Sequence, residues 1–397
     1  MDSHTLLAEA FGPGGKIGLV SAPGRVNLIG EHIDYHNLPV LPMALRRSVR
    51  VAFRPRTDHR IRAASGDGYG AREFVWTPEI SPVPAGDWEN YLRAAARAVG
   101  MKWGVLAGVD AAVVSDLPAA AGLSSSSALL VAFTLCLLLA NGRAPGFEDL
   151  MEILPDGEQF VGTRGGGMDH AASLGSRAGC ASLIEFDPVS VRPIPVPSGW
   201  AFLVAHSLTV AEKSGAVRQQ YNACRVAGSA ALARLGFGSY RAATDGLTFA
   251  QAEELAARGL ADPAERDAFL HVAGEALRVR AAVQAMEQGD QAAFGTLLLA
   301  SHASLRGRLR VSCAALDRLV EAAVASGALG ARLTGAGFGG CAVVFCRADD
   351  LAAVRQGLIQ RYYAGSPQFD ERMHLIHAAP GPGALQLIEE LHASPHA

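Results

Sequence analysis

From Ala128 to Ala140 the chain reads "ALLVAFTLCLLLA", in which Thr134 is the one clearly polar side chain. A bilayer span needs about 20 apolar residues, so this run is too short to cross a membrane. Pro and Gly mark the loop before it, serines stand at its start, and Asn141-Gly142 ends it. That punctuation predicts a helix. A helix apolar on all faces must be buried on all faces, which only a sizeable core can provide. The chain is long enough: 397 residues, half of them apolar and 18% charged, suit two domains or three and a folded state.

The formal net charge of −3 lacks the basic excess of a nucleic-acid binder. One basic cluster, "RRSVRVAFRPRTDHRIR" from Arg46 to Arg62, alternates apolar and basic residues in its "SVRVAFR" core and reads as a strand with a solvated face. Six scattered cysteines form no CxxC, and the close pair Cys341 and Cys346 sits in "CAVVFC". Reduced core thiols fit that pattern better than a disulfide frame or a zinc site. The start "MDSHTLLAEAFGPGG" lacks the basic residues and apolar run of a signal peptide, so the cytoplasm is the expected compartment.

Several further elements are expected. "KIGLVSAPGRVNLIG" reads as a strand followed by a turn at Pro23-Gly24, and "SVRVAF", "GVDAAVVSD", "CASLIEF" and "WAFLVAHS" as strands. "DPVSVRPIPVPSG", with four prolines, marks a domain boundary. The stretch from about Glu212 to Ala325 has helical spacing, and "ARLTGAGFGGCAVVFCRADD" is a helical stretch and loop running into a strand, with a helix after it.

Three segments can carry chemistry. "PAAAGLSSSSAL" joins a small-residue loop to a helix start, where free backbone N–H groups and the helix dipole favour an anion. One serine suffices to cap a helix, so Ser124 to Ser127 read as donors to phosphate or oxygen ligands for Mg²⁺. No G-x-x-x-x-G-K-[ST] occurs, which excludes a P-loop. "GEQFVGTRGGGMDHAASLG" places Asp169 just after Gly165, Gly166 and Gly167. Glycines let backbone approach a ligand closely, although such a loop is common at plain turns. "LTGAGFGG" satisfies G-x-G-x-x-G through Gly335, Gly337 and Gly340, but a strand follows it where a dinucleotide fingerprint opens a helix.

In order, "GRVNLIGEHIDY", "GLSSSSAL", "GGGMD" and "LTGAGFGG" resemble the GHMP small-molecule kinases, and within them the galactokinase family, from about Ala22 to Phe345. The resemblance implies an α+β, two-domain GHMP kinase fold: an N-terminal domain (1–195) similar to domain 2 of ribosomal protein S5, and a ferredoxin-like C-terminal domain (196–397). It implies a sugar-1-kinase that uses ATP and Mg²⁺. Glu31, His32, Asp34, Gly166 and Tyr221 would hold the hexose, since carboxylates and imidazole accept from hydroxyls in fixed directions. Asp169 and Arg25 match the catalytic pair. Ala120, Ala121, Gly122, Leu123, Ser124, Ser125, Ser126 and Ser127 would wrap the ATP phosphates, with Gly335 and Gly337 over them. Ser126 and Glu158 would hold Mg²⁺.

The chain departs from the family in places. His170 stands where Gln often follows the aspartate, "SLRGRL" replaces "SLRDDY", and Arg225 lies one position later than usual after Tyr221-Asn222. "SSSSAL" and "GTRGGGMD" look closer to the N-acetylgalactosamine kinase branch, so galactose is carried forward as substrate with N-acetylgalactosamine or another sugar as the alternative. A non-enzymatic sugar and ATP sensor is the reading from another class. A monomer is expected, with neither nucleic acid nor membrane as partner.

Overall fold

The computed structural model describes residues 2–118, 122–162, 166–209 and 215–393. Ala120 and Ala121 lie outside the described residues.

The first sheet contains β1 (Gly18–Ile29), β2 (Leu41–Pro55), β3 (Arg60–Ser65), β4 (Ala71–Val75) and β5 (Val109–Ser115), in the order β1-β2-β5-β3-β4. All its neighbours are antiparallel except β3 and β5. The turn expected at Pro23-Gly24 is not there: β1 runs through both residues, and its register against β2 shifts between Pro23 and Arg25. Because β1 is an edge strand, Pro23 deprives no neighbour of a ladder hydrogen bond. Gly24 is required for another reason. A Cβ there would lie 2.5 Å from Leu117 Cδ2 and 2.6 Å from the Leu123 carbonyl oxygen.

The basic cluster forms β2 and β3, as expected of a strand, and most of its guanidinium groups have partners. Arg50 meets Asp116, Arg56 meets Asp58 and Asp110, Arg60 meets Glu73, and Arg62 meets Asp110. Arg54 donates to the Gly14 and Gly12 carbonyls.

The apolar run forms the helix Ser125–Ala140. It packs on β1 and β2 and between the helices Glu89–Trp103, Phe147–Phe160 and Met168–Gly175. Leu130, Val131, Phe133, Leu135, Leu137 and Leu138 are fully buried there. At about 1.5–3 kcal/mol for each large apolar side chain, this helix anchors the serine loop to rigid material.

The Pro-rich segment is not a free linker. Residues Ser190–Pro195 form β7, paired with β6 (Cys180–Glu185) in a two-stranded sheet. Pro193 and Pro195 are tolerated because β7 has no second neighbour.

A second sheet has the order β11-β8-β10-β9, with β8 at Trp200–His206, β9 at Gly330–Thr334, β10 at Cys341–Arg347 and β11 at Leu375–His377. Both faces of β8 and β10 are buried. Trp200, Phe202, Val204, Val343 and Phe345 join the large core of the first sheet, while Ala201, Leu203, Ala205, Val344 and Cys346 face a second apolar cluster. Alternate strand residues point to opposite faces, which puts Cys341 and Cys346 on different sides, and both thiols are free. The glycine loop joins β9 to β10, so a strand precedes it where a helical stretch was expected.

Between the sheets in sequence, helices run from Gly215–Arg234 to Ala314–Ala325. The longest, Pro263–Gln288, starts where Asp262 caps Ala264 N and Pro263 opens the first turn, and ends at the left-handed Gly289. The final helix, Ala384–Ala393, returns to pack on β1 and on Met168–Gly175.

Candidate active site

The second half of β1 delivers the first functional group. The serine loop crosses β1 at Gly24, and Arg25 N donates to the Leu123 carbonyl at 3.2 Å. Arg25 is 5% exposed, so its charge needs partners. It has them: Nε and Nη2 reach Asp169 Oδ1 at 2.7 and 2.6 Å, and Nη1 donates to the Gly122 carbonyl at 2.8 Å.

Asp169 opens the helix Met168–Gly175, whose N-terminus favours a negative charge. Its other oxygen, Oδ2, accepts from the Ser124 hydroxyl at 2.6 Å and lies 3.5 Å from Ser127 Oγ. Burial alone would favour the neutral acid. The Arg25 charge and the Ser124 hydrogen bond prevail and hold the carboxyl below its ordinary value of 3.8. Ser124 stands at the N-cap, but at φ 57° its side chain makes no capping bond and turns to Asp169 instead.

Glu158, on the helix Phe147–Phe160, accepts from the Ser127 hydroxyl at 2.6 Å. Ser126, one residue earlier and expected to share Mg²⁺ with Glu158, lies beside the Tyr91 hydroxyl. One residue is about 100° on a helix, so the two hydroxyls face different neighbours. His170 is fully buried, with Nε2 3.6 Å from Glu158 Oε1. Ser125, Gly122 and Leu123 lie in the same loop and helix start.

The turn after β1 carries Glu31, His32 and Asp34, all buried. Asp34 Oδ2 accepts from Gly166 N at 3.2 Å. Its pKa is pushed up to about 7 by burial first, then by the charges of Asp169 and Glu31. Ionised Asp34 therefore destabilises the ligand-free fold. The cost starts as pH rises through the unfolded carboxyl's 3.8 and is complete above about 7. Asp34→Asn should raise the melting temperature, with a gain that grows from pH 4 to pH 8. Melts across that range check this, and a gain that shrinks as pH rises contradicts it.

Tyr221, on the helix Gly215–Arg234, stands with its ring 5.1 Å from His32 and 5.7 Å from Tyr35. Arg225 lies over Tyr35 at 5.9 Å, so the shifted arginine still faces this turn. Glu31 is more deeply engaged than a free sugar ligand. Oε2 accepts from Asn27 Nδ2 at 2.7 Å, and Oε1 accepts from Gly335 N at 2.5 Å. His32 Nε2 lies 3.2 Å from the Ala336 carbonyl. Two consecutive residues of the turn thus grip the glycine loop. Gly337 admits no side chain: it has φ +84°, and a Cβ would sit 2.2 Å from the Val311 carbonyl oxygen.

Hydrogen bonds thus tie Arg25 and Ser124 to Asp169, Ser127 to Glu158 and Asp169, and the buried turn to Gly166 and the glycine loop. Sequence reasoning missed Asn27, Thr334 and Arg332, which bind the turn from within. Their types gave little signal, since a single Arg in "ARLT" reads as a surface residue.

The fold and this constellation define a GHMP-type kinase. Family models for the GHMP kinases N terminal domain and C terminal match residues 90–177 and 282–365. A third model, the galactokinase galactose-binding signature, matches residues 6–55. The chain is 36% identical over 349 residues to a galactokinase of Chloroflexus aurantiacus, covering 87% of each. It is 36% identical over 352 residues to a galactokinase of Roseiflexus sp., again covering 87% of each. The structure of Lactococcus lactis galactokinase complexed with galactose matches with TM-score 0.85 at 26% identity, over 96% of this chain and 97% of that one. A mevalonate kinase from L. major shares the fold at TM-score 0.63 and 19% identity, over 92% of this chain and 97% of that one. The chain belongs to the galactokinase family of GHMP kinases, and the expected α+β GHMP kinase fold is borne out.

Proposed function

We propose that this protein transfers the γ-phosphoryl group of ATP to the anomeric hydroxyl of D-galactose, giving galactose 1-phosphate and ADP. The observation that carries the reading is the pairing of the buried Arg25 with the partly exposed Asp169, set between the serine loop and the Glu31–Asp34 turn.

In this reading Asp34, His32, Glu31, Gly166 and Tyr221 hold the hexose with its anomeric oxygen toward Asp169. Asp169, kept ionised, accepts the hydroxyl's hydrogen bond and then its proton as the new O–P bond forms and the bond to ADP breaks. Arg25 offsets the charge that spreads over the transferred group. Phosphoryl transfer needs little covalent chemistry from the protein, so positioning and charge suffice. The segment from Ala120 to Ser127, with Gly335 and Gly337, encloses the phosphates.

Mg²⁺ favours hard oxygen ligands and takes only one or two carboxylates beside substrate phosphates. Glu158, with the Ser126 and Ser127 hydroxyls at the helix start, fits that donor set. The ion would neutralise phosphate charge. Glu158→Gln should raise the Mg²⁺ concentration needed for half-maximal rate by about tenfold, the low end of the loss of affinity seen when residues that support a metal site are changed. A magnesium titration at saturating ATP and galactose checks this, and an unchanged requirement removes Glu158 from the site.

We also place the division into units at 195/196, between β7 and β8, and the protein in the cytoplasm as a monomer. No helix among the described residues is long and apolar enough to cross a membrane. The six free cysteines suit a reducing compartment.

The test is a panel of free sugars with ATP and Mg²⁺, read as ADP formed. Galactose-dependent ADP is the expected result. Turnover of N-acetylgalactosamine without galactose turnover moves the substrate to that sugar, and no turnover with any hexose overturns the kinase reading.

A further inference from the structure

Gly30 leaves β1 at φ +107°, and its N–H points out of the first sheet toward the helix Pro263–Gln288. There Glu275 Oε1 accepts it at 3.0 Å. The same oxygen accepts from the Ser301 hydroxyl at 2.6 Å, and Oε2 accepts from Arg278 Nε at 2.7 Å. One helical turn earlier, His271 Nε2 lies 3.0 Å from the Glu31 carbonyl and its Nδ1 lies 2.9 Å from the Ser304 hydroxyl. From β9, Arg332 donates through Nη1 to the Asn27 and Leu28 carbonyls, both at 3.0 Å, and through Nε to Ser301 at 3.1 Å. Glu275, His271, Arg332 and Ser301 are all fully buried.

We propose that Glu275 is a positioning residue for the sugar-binding turn: from the C-terminal half of the chain it fixes the Gly30 peptide, and with it the direction of Glu31 and His32. The proposal rests on the function above.

A buried ion network is a poor way to gain stability. Apolar residues of the same volume do as well or better. What such a network supplies is direction. The peptide it holds belongs to a glycine, the residue with the most backbone freedom to lose, at the point where the chain turns from strand into site. The next residue, Glu31, grips Gly335 N, and His32 faces the Ala336 carbonyl. A tilt of the Gly30 peptide therefore moves the sugar ligands together. Glu275 is well suited to hold it. Burial favours the neutral acid, but the charges of Arg278 and Arg332 and its neighbour His271 bring its pKa down to about 2, so the carboxylate stays a full acceptor.

The test compares Glu275→Ala, Glu275→Gln and Ser301→Ala with the unchanged protein. Readouts are galactose KM, ATP KM, kcat, and hydrogen exchange of the peptide spanning residues 26–37 without ligands. Glu275→Ala should raise galactose KM at least about tenfold and leave ATP KM within about twofold, with faster exchange at 26–37, since misplacement by an ångström costs on that scale. Glu275→Gln keeps an oxygen for Gly30 N–H and should bring galactose KM back to within about threefold of the unchanged protein.

A folded Glu275→Ala with unchanged galactose KM overturns the proposal. So does a joint rise of both KM values that Gln does not rescue, because that is general loss of structure. If Glu275→Ala does not fold, Ser301→Ala decides: faster exchange at 26–37 with a raised galactose KM supports the proposal, and no change in either overturns it. Absence of galactose turnover in the unchanged protein would instead defeat the functional reading, while the ligand-free exchange comparison would still report on Gly30.

Discussion

Asp169→Asn should lower kcat by about 10³-fold, within the range of 10²–10⁴ typical of a positioned acid or base, while leaving ATP bound as before. The substitution changes charge and not size. Its amide oxygen can still take the Arg25 Nε and Nη2 bonds now made at Oδ1, so Arg25 keeps its orientation toward the Gly122 carbonyl. The amide nitrogen replaces Oδ2, which now accepts from Ser124 at 2.6 Å, and the Ser124 hydroxyl can turn to accept instead. What disappears is the negative charge that compensates the buried guanidinium and that, on the proposed function, takes the hydroxyl's proton. ADP formation gives kcat, and calorimetry with a non-hydrolysable ATP analogue gives the affinity. A variant within tenfold of the unchanged protein would show that Asp169 is not the proton acceptor.

Particular residues show why some of this was legible from one sequence and some was not. The serine loop was visible because four hydroxyls exceed what a helix cap needs, and Ser124 indeed spends its side chain on Asp169 instead of on the helix. The buried helix behind it followed from a run apolar on every face. The meeting of Arg25 with Asp169 across 144 positions was not readable from spacing. It came from the family resemblance.

The errors have local causes. Pro23-Gly24 has turn chemistry, but at the sheet edge Pro costs no hydrogen bond, and Gly24 is there for the close approach of Leu117 and Leu123. The segment read as a Pro-rich link holds the strand β7, whose prolines cost no hydrogen bond for the same reason. "ARLT" hid a strand because Arg332 breaks the apolar pattern, although its charge is spent wholly indoors. Glu275 and Arg278 sit three residues apart in an Ala-rich helix and look like a solvated pair. Only the folded packing shows that they are fully and largely buried, respectively, with Glu275 reaching Gly30 N in the turn after β1.

Arg25→Lys should cost kcat about 10²–10³-fold, the scale of losing one preorganised donor at a site of developing charge. The two residues carry the same charge, so the expected loss is geometric. Arg25 uses Nε and Nη2 on Asp169 Oδ1 and Nη1 on the Gly122 carbonyl, three donors held in one plane. A lysine ammonium is a point charge on a flexible stem and cannot span both partners in that geometry. In a site this buried, whichever partner it abandons keeps an uncompensated polar group. A second signature separates this from simple misfolding. Arg25 is the main positive charge holding Asp169 below its ordinary value, against a burial effect that pushes the other way. With that charge displaced, the Asp169 pKa rises, and the acid limb of the kcat profile should move to higher pH. A rate loss of this size with the acid limb unmoved would mean that Arg25 serves the phosphate alone and does not set the ionisation of Asp169.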